Sequence, residues 1–503
     1  MKRSVIVSVV TVLSIIILLT AMVTVNNVST KSNPAQPFYV GVTYCGDNIT
    51  DAKLLIDRVK NYTNLFILQS GPLMYNLEAT EEICDYAVNA GLSIILSYTR
   101  NSIGTLKEVL NTTQTRWGNQ FLGIYYNDEP GGKMLDKQEI LLQNPQTNQS
   151  LHRNQDKSLQ FGTSNSTTDI ATTYSISGPI TISTSPVRLL LLVIHPGTIF
   201  DDSDNQDHSI EDEVPPTTTV YYPNGTICYT TTDRTLMFHP DGSVQDENGK
   251  IITNQGGIAQ FQSYQEVLAS LPIQTFTDAA NCYIETQQTD LSCLGNVSGV
   301  ELCTSDYALY WWDYQIGYDT VFAQLGWNNS VTQEIGLVRG AANMQGKSWG
   351  TIITWTYTQP PYLTSGEEMY EQMRVSYESG AKYVLVFNYA ETMTGVWGAL
   401  QEAHFGALER FWNDVVQNAG VVHGGIRAEA TLVLPMDYGW GMRNPQDNIW
   451  GMWDANDTTQ QIWNQLQNQL SQYGSKLDII YDDPTYHSII NRYSYIRYWN
   501  QTD

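Results

Sequence analysis

Basic residues are scarce in this chain: 26 Lys and Arg stand against 51 Asp and Glu in 503 residues, a formal charge of −25. Nucleic acids and anionic lipid headgroups bind where Lys and Arg replace their counterions, so this balance excludes both as main partners. Several motifs are missing too. No CxxC pair or Cys/His cluster suggests zinc, and no metal site is expected. No Gly-x-Ser-x-Gly elbow, phosphate loop, HExxH helix or dinucleotide fingerprint occurs in its proper context. Serine hydrolases, nucleotide enzymes and zinc proteases lose ground, and no cofactor is expected.

What is present points outward. Lys2 and Arg3 precede an uncharged apolar run of 22 residues, Ser4 to Val25. That length crosses a bilayer and exceeds the apolar stretch of an ordinary cleaved signal, with the following residues expected outside. The expectation is a single N-terminal transmembrane anchor on an extracytoplasmic protein, the alternative being a cleaved signal and secretion. Eleven Asn-x-Ser/Thr sequons, at Asn27, Asn48, Asn61, Asn111, Asn148, Asn165, Asn224, Asn296, Asn328, Asn456 and Asn500, fit a surface glycoprotein. Six cysteines, Cys45, Cys84, Cys228, Cys282, Cys293 and Cys303, form an even set that an oxidising compartment would pair into disulfides.

With 42% hydrophobic and 11% aromatic residues, the chain can build a large core and more than one domain. From Phe38 onward, short β-branched runs alternate with helical patterns, the rhythm of βαβ units. Strands are expected at Phe38–Tyr44, Asn64–Gln69, Leu92–Tyr98 and Phe121–Asn127. Between about Leu135 and Ser263 the rhythm gives way to turn signals in series, Pro223-Asn224-Gly225, Pro240-Asp241-Gly242 and Glu247-Asn248-Gly249, which read as hairpins. For Asn144–Thr173, where apolar residues are sparse, a disordered loop is the alternative. A helix at Ser263–Leu271 reopens the alternation, with strands expected at Tyr307–Asp313, Asp319–Leu325, Trp349–Tyr357 and Lys382–Tyr389. The fold class is therefore α/β: a (β/α)8 TIM-type barrel with an inserted all-β domain after strand four and a small C-terminal α/β domain. The segments are 1–36 anchor and linker, 37–134 barrel first half, 135–262 β-rich insert, 263–425 barrel second half and 426–503 C-terminal domain.

In a parallel barrel, chemistry sits at the C-terminal ends of the strands. Those ends carry Tyr44, Tyr98, Asn127-Asp128-Glu129, Asp313 and Tyr314, Trp327, Trp355 and Tyr357, Asn388 and Glu391. In Gly123-Ile-Tyr-Tyr-Asn-Asp-Glu-Pro-Gly-Gly132, two acids end a buried strand before an abrupt turn. Glycoside hydrolysis needs one carboxylic acid to protonate the leaving oxygen and a second carboxylate to attack or activate water. Glu129 is the expected acid and Asp128 an orienting neighbour. Asp313, flanked by Trp312 and Tyr314, is the expected partner, with Glu391 in reserve. The aromatic series Trp440, Trp450 and Trp453 reads as packing of the C-terminal region onto the barrel.

The arrangement resembles the barrel glycoside hydrolases of the large retaining clan, particularly beta-galactosidases whose barrel is followed by a flavodoxin-like α/β domain. The resemblance rests on Asn127-Asp128-Glu129, similar to the clan's Asn-Glu motif with one residue interposed. It rests also on Ser379 to Asn388 with Glu402-Ala-His404, and on the tail from Ala428. It implies a glycan as partner and paired carboxylates as chemistry. One departure stands out: the clan's nucleophilic glutamate ends strand seven, where this chain has Thr354-Trp355-Thr356-Tyr357. The readings are therefore a glycoside hydrolase-like protein or, alternatively, a non-catalytic carbohydrate-binding or structural envelope protein.

Overall fold

A computed structural model describes residues 37–99, 102–136, 274–295, 299–327, 329–389 and 397–501, together with the backbone of the strands between 149 and 261. Contacts divide the chain into Met1–Tyr39 and one compact unit, Val40–Asp503. The apolar run Ser4–Val25 and the helix expected at Ser263–Leu271 lie outside the described residues. No helix among the described residues is long and apolar enough to cross a membrane.

Eight strands close into a barrel. They are β1 (Tyr39–Tyr44), β2 (Leu65–Leu68), β3 (Ser93–Tyr98), β4 (Phe121–Tyr126), β5 (Glu301–Asp306), β6 (Thr320–Leu325), β7 (Ser348–Ile353) and β8 (Tyr383–Val386). Each pairs with its neighbours in parallel, as Gly41 opposite Leu65 and Glu301 opposite Gly123 illustrate. Helices run between them: α1 (Ile49–Val59), α2 (Leu77–Asn89), α3 (Ile103–Arg116), α4 (Pro130–Asp136), α5 (Phe276–Ser292), α6 (Tyr310–Ile316), α7 (Val331–Gln345), α8 (Gly366–Glu378) and α9 (Glu402–Phe411). Helix α1 shows why such segments fold as they do. The Asn48 side chain accepts from the amides of Thr50 and Asp51, and Ala52, Leu55, Ile56 and Val59 form one buried stripe at helical spacing.

The fifth strand corrects the sequence reading. It is Glu301–Asp306, while Tyr310–Ile316 is helix α6. The strand is polar (Glu-Leu-Cys-Thr-Ser-Asp), yet Thr304, Ser305 and Asp306 are buried because neighbouring groups satisfy them. The aromatic run after it mimics an apolar strand, but Leu309, in left-handed backbone at φ 57, turns the chain into a helix. Strand β7 likewise ends at Ile353, leaving Thr354–Tyr357 as loop.

Between α4 and α5 the described backbone is antiparallel. It comprises a three-stranded sheet within 149–173, a second made of Ile180–Ser183, Leu190–Val193 and Ile258–Phe261, and a five-stranded meander from Thr218 to Thr253. The hairpins expected around Asn224 and Asp241 have paired flanks, with Tyr221 opposite Ile227 and Phe238 opposite Val244. After α9, strands β9 (Ala430–Leu434), β10 (Leu477–Tyr481) and β11 (Tyr495–Tyr498) form a parallel sheet with β9 central, joined by helix α10 (Asp457–Tyr473). This sheet packs on α7, where a Cβ at Gly340 would meet the Ile479 carbonyl at 2.5 Å and one at Gly336 the Leu477 carbonyl at 2.8 Å. Across the same seam Arg339 donates to Asp478 at 2.7 Å, both buried. Trp450 packs against Trp312 at 4.7 Å between ring centroids, and Trp453 against Phe276 at 5.0 Å.

No disulfide forms among the described residues. Cys84 on α2 and Cys303 in β5 are buried thiols in separate parts of the barrel wall, and burial is the main force raising the pKa of each.

Candidate active site

A cavity of about 310 Å³ opens at the C-terminal ends of the barrel strands. Gln69 follows β2, Tyr125, Asp128 and Glu129 end β4, and Ser305 comes from β5. Gln324 lies in β6 and Trp327 just after it, Ile352 lies in β7 with Thr354 and Trp355 in the loop that follows, and Phe387 and Tyr389 follow β8.

A hydrogen-bonded line joins the two carboxylates of this cavity. Gln324 Nε2 donates to Glu129 Oε1 at 2.7 Å and to Ser305 Oγ at 3.0 Å, and Ser305 Oγ donates to Asp128 Oδ1 at 2.9 Å. The Tyr125 hydroxyl also donates to Asp128 Oδ1. The Tyr125 hydroxyl also lies 2.7 Å from Ser305 Oγ, so two hydroxyl protons serve three contacts with Asp128 as the acceptor, and the Gln324 amide, its Nε2 toward Glu129 and Ser305, has a single sensible orientation. Burial first, then the Asp128 charge, raise the Tyr125 phenol well above its ordinary range. Glu129 and Asn127 both adopt left-handed backbone, at φ 56 and φ 50. The Glu129 amide donates to the Ser305 carbonyl at 2.9 Å.

Behind this line lies a second group of acids. Asp306, fully buried, accepts backbone amides from Gly132 (2.8 Å), Tyr307 (2.7 Å), Ala308 (3.1 Å) and Gly131. Burial nonetheless pushes its pKa up to about 7, with the Glu129 charge adding to the rise. Burial and then Asp306 raise Asp313 well above the carboxylate range. Glu334, buried and accepting from the Tyr310 hydroxyl, is pushed up to about 8 by burial.

Of the residues expected from sequence, Asp128, Glu129, Trp327 and Trp355 line the cavity. Asp313 does not. It sits in α6, fully buried, accepting from the Tyr283 hydroxyl at 2.7 Å, because the strand that would have aimed it at the mouth is a helix. Trp312, on the same helix, packs edge-on against Trp450 and at a tilt against Tyr481 in the seam with the C-terminal sheet. Tyr314 donates to the carbonyl of Ser348 at 2.8 Å, at the start of β7 and so at the far end of the barrel. Tyr44 is buried and ties the loop after β1, donating to the Asn48 carbonyl at 2.7 Å, and burial pushes its phenol up to about 12. Tyr98 is buried in the wall. Asn127 donates to Asp290 instead of entering the cavity. Asn388 is a structural tie: its amide donates to Thr43 Oγ1 at 2.9 Å, and its Oδ1 accepts from Ala399 at 2.9 Å. Tyr357 is exposed near the mouth without lining the cavity, and Glu391 lies outside the described residues.

Sequence reading missed Ser305, Gln324, Phe387 and Tyr389. Ser305 was hidden by the misplaced fifth strand. Gln324 lay inside a correctly placed strand, where inward pointing of alternate residues was the available signal.

No family model matches the chain, and no curated protein matches it in sequence. Among solved structures, the crystal structure of a GH5_18 variant from Streptomyces cattleya in complex with Manb1-4GlcNAc is similar over 92% of this chain and 99% of its own, at 9% identity and a TM-score of 0.45. The fold itself is a closed (β/α)8 barrel of eight parallel strands. Likeness at this level carries no argument about chemistry.

Proposed function

We propose that the barrel mouth binds a glycan and that the chain is glycoside hydrolase-like, with Glu129 the acid that meets a sugar oxygen. One observation carries the reading: the cavity combines rings with polar atoms that the protein leaves unused. Trp355 lies 6.5 Å from Trp327 and 5.6 Å from Tyr389 between ring centroids. Among the residues lining this cavity, Gln69 Oε1, Thr354 Oγ1 and Trp355 Nε1 are buried without a protein partner. A sugar has the matching chemistry, C–H faces that lie on rings and a rim of hydroxyls that both donate and accept.

Hydrolysis would use Glu129 to protonate the leaving oxygen, with a second carboxylate across the bond. Among the described cavity residues the other carboxylate is Asp128, from the same loop. The end of β7 presents Thr354 and Trp355 instead of an acid, which favours a second reading, glycan binding without cleavage.

The test is to incubate the full chain with neutral β-linked gluco-, manno-, galacto- and chito-oligosaccharides, measuring new reducing ends and, by calorimetry, binding. Products that fall roughly 10²- to 10⁴-fold in Glu129→Gln with binding retained support the hydrolase reading. Binding without products supports the second reading, and neither result would sink both. We further propose an extracytoplasmic, membrane-anchored location, supported by the Ser4–Val25 run and the eleven sequons. A mass shift on enzymatic deglycosylation, with retention in the membrane fraction, is the expected result.

A further inference from the structure

Left-handed backbone at a residue other than glycine costs about 1–3 kcal/mol and persists only where the surroundings over-determine it. Glu129, at φ 56, opens helix α4, and the contacts that hold this seven-residue helix are unusually explicit. At its start, Pro130 has no amide proton, and the next two amides, of Gly131 and Gly132, both donate to Asp306. Both positions need glycine: a Cβ at Gly132 would lie 2.1 Å from the Tyr307 ring and one at Gly131 2.7 Å from the Ala308 carbonyl oxygen. At its end, Asp136 accepts from Arg443 Nη1 at 2.5 Å and from the Tyr307 hydroxyl at 2.7 Å. Arg443 belongs to the loop after β9. It is itself aligned by two bonds to Asp447, at 2.6 and 2.9 Å.

We propose that Asp306 and Arg443 are positioning residues that clamp α4 at its two ends and thereby fix Glu129 in the cavity. The C-terminal segment is then part of the site's construction and not only a pendant sheet. The inference rests on the reading of Glu129 as the functional acid. The groups facing Asp306 are Glu129 from the β4 loop, Asp313 and Tyr310 from α6, Tyr283 from α5, Glu334 from α7, and Tyr307 and Tyr318. With four amides pointing at it, Asp306 is the natural anion of its pair with Asp313. A proton on Asp313 gives the otherwise unpartnered Oδ2 of that residue a hydrogen bond to Asp306.

Hydrogen exchange on the full chain, read by mass spectrometry without any sugar, tests the clamp separately from the glycan reading. In Asp306→Asn and Arg443→Met, peptides covering 129–136 should exchange about tenfold faster or more, while peptides from β6 stay as slow as in the parent. Arg443→Lys should recover part of the protection. Arg339→Met breaks the buried ion pair between α7 and β10, which does not involve α4, and should leave 129–136 unchanged, and Asp313→Asn, which mimics the neutral partner, should do the same. Should Arg443→Met fail to fold, Asp136→Asn breaks the same pair from the half-buried side. Unchanged protection of 129–136 in the clamp variants would overturn the proposal, as would equal loss in Arg339→Met.

Discussion

Glu334 offers the sharpest test of how the buried acids behave. It lies in the first turn of α7, fully buried, with one oxygen accepting from the Tyr310 hydroxyl and the other without a partner. Burial raises its pKa from 4.5 to about 8, against the lowering effects of the Tyr310 bond and the Arg443 charge. A folded pKa above the unfolded one means that the folded state holds the proton more tightly. The associated stability is fully present below about pH 4.5 and is lost as pH rises through about 8. At about 1.4 kcal/mol per pKa unit, the loss is on the order of 3–5 kcal/mol by the time the group is ionised. Glu334→Gln keeps the shape and an acceptor for Tyr310 but cannot ionise. Its amide leaves a buried donor unsatisfied, a penalty of about 1–3 kcal/mol that is the same at every pH. The expected outcome of thermal unfolding between pH 5 and pH 9 is therefore a lower Tm for the variant at pH 5, and a much shallower decline toward pH 9 than in the parent. Parallel pH profiles for the two proteins, or a parent more stable at pH 9 than at pH 6, would refute the argument.

Other outcomes follow from the same geometry. Trp355→Ala removes the central ring of the cavity wall and should weaken binding of any oligosaccharide found to bind by roughly tenfold, about 1–2 kcal/mol by calorimetry, with the melting temperature little changed. Gly132→Ala drives a Cβ into the Tyr307 ring, so it should destabilise by about 1–3 kcal/mol in urea unfolding and speed exchange at α4. Arg339→Met strands the buried Asp478 carboxylate, whose remaining donors are Asn343 and Tyr493, and should cost about 3–5 kcal/mol in the same assay.

How far the sequence could be read depended on whether local pattern or distant neighbours set each position. The alternation of β-branched runs and capped helices was enough to place β1 to β4, β6 and β8 within a few residues, because each of these strands is apolar on both faces and flanked by amphipathic helices. The same was true of Glu129 at the mouth, since a strand that ends in two acids and Pro-Gly-Gly has nowhere else to put them. Strand β5 was illegible because its Thr304, Ser305 and Asp306 are polar residues buried by partners from other elements. These include the amides of Gly131 and Gly132, which lie more than a hundred positions away in sequence. That one displacement sent Asp313 and Trp312 to the wrong side of the wall and concealed Ser305. Composition and local periodicity thus determined the barrel and the placement of Glu129 at its mouth, because they report on hydrogen bonding and burial within a few residues. Tertiary structure alone decided which polar side chains share the cavity with Glu129, because hydrogen bonds such as those of Gln324 to Glu129 and Ser305 join strands whose sequence carries no sign of one another.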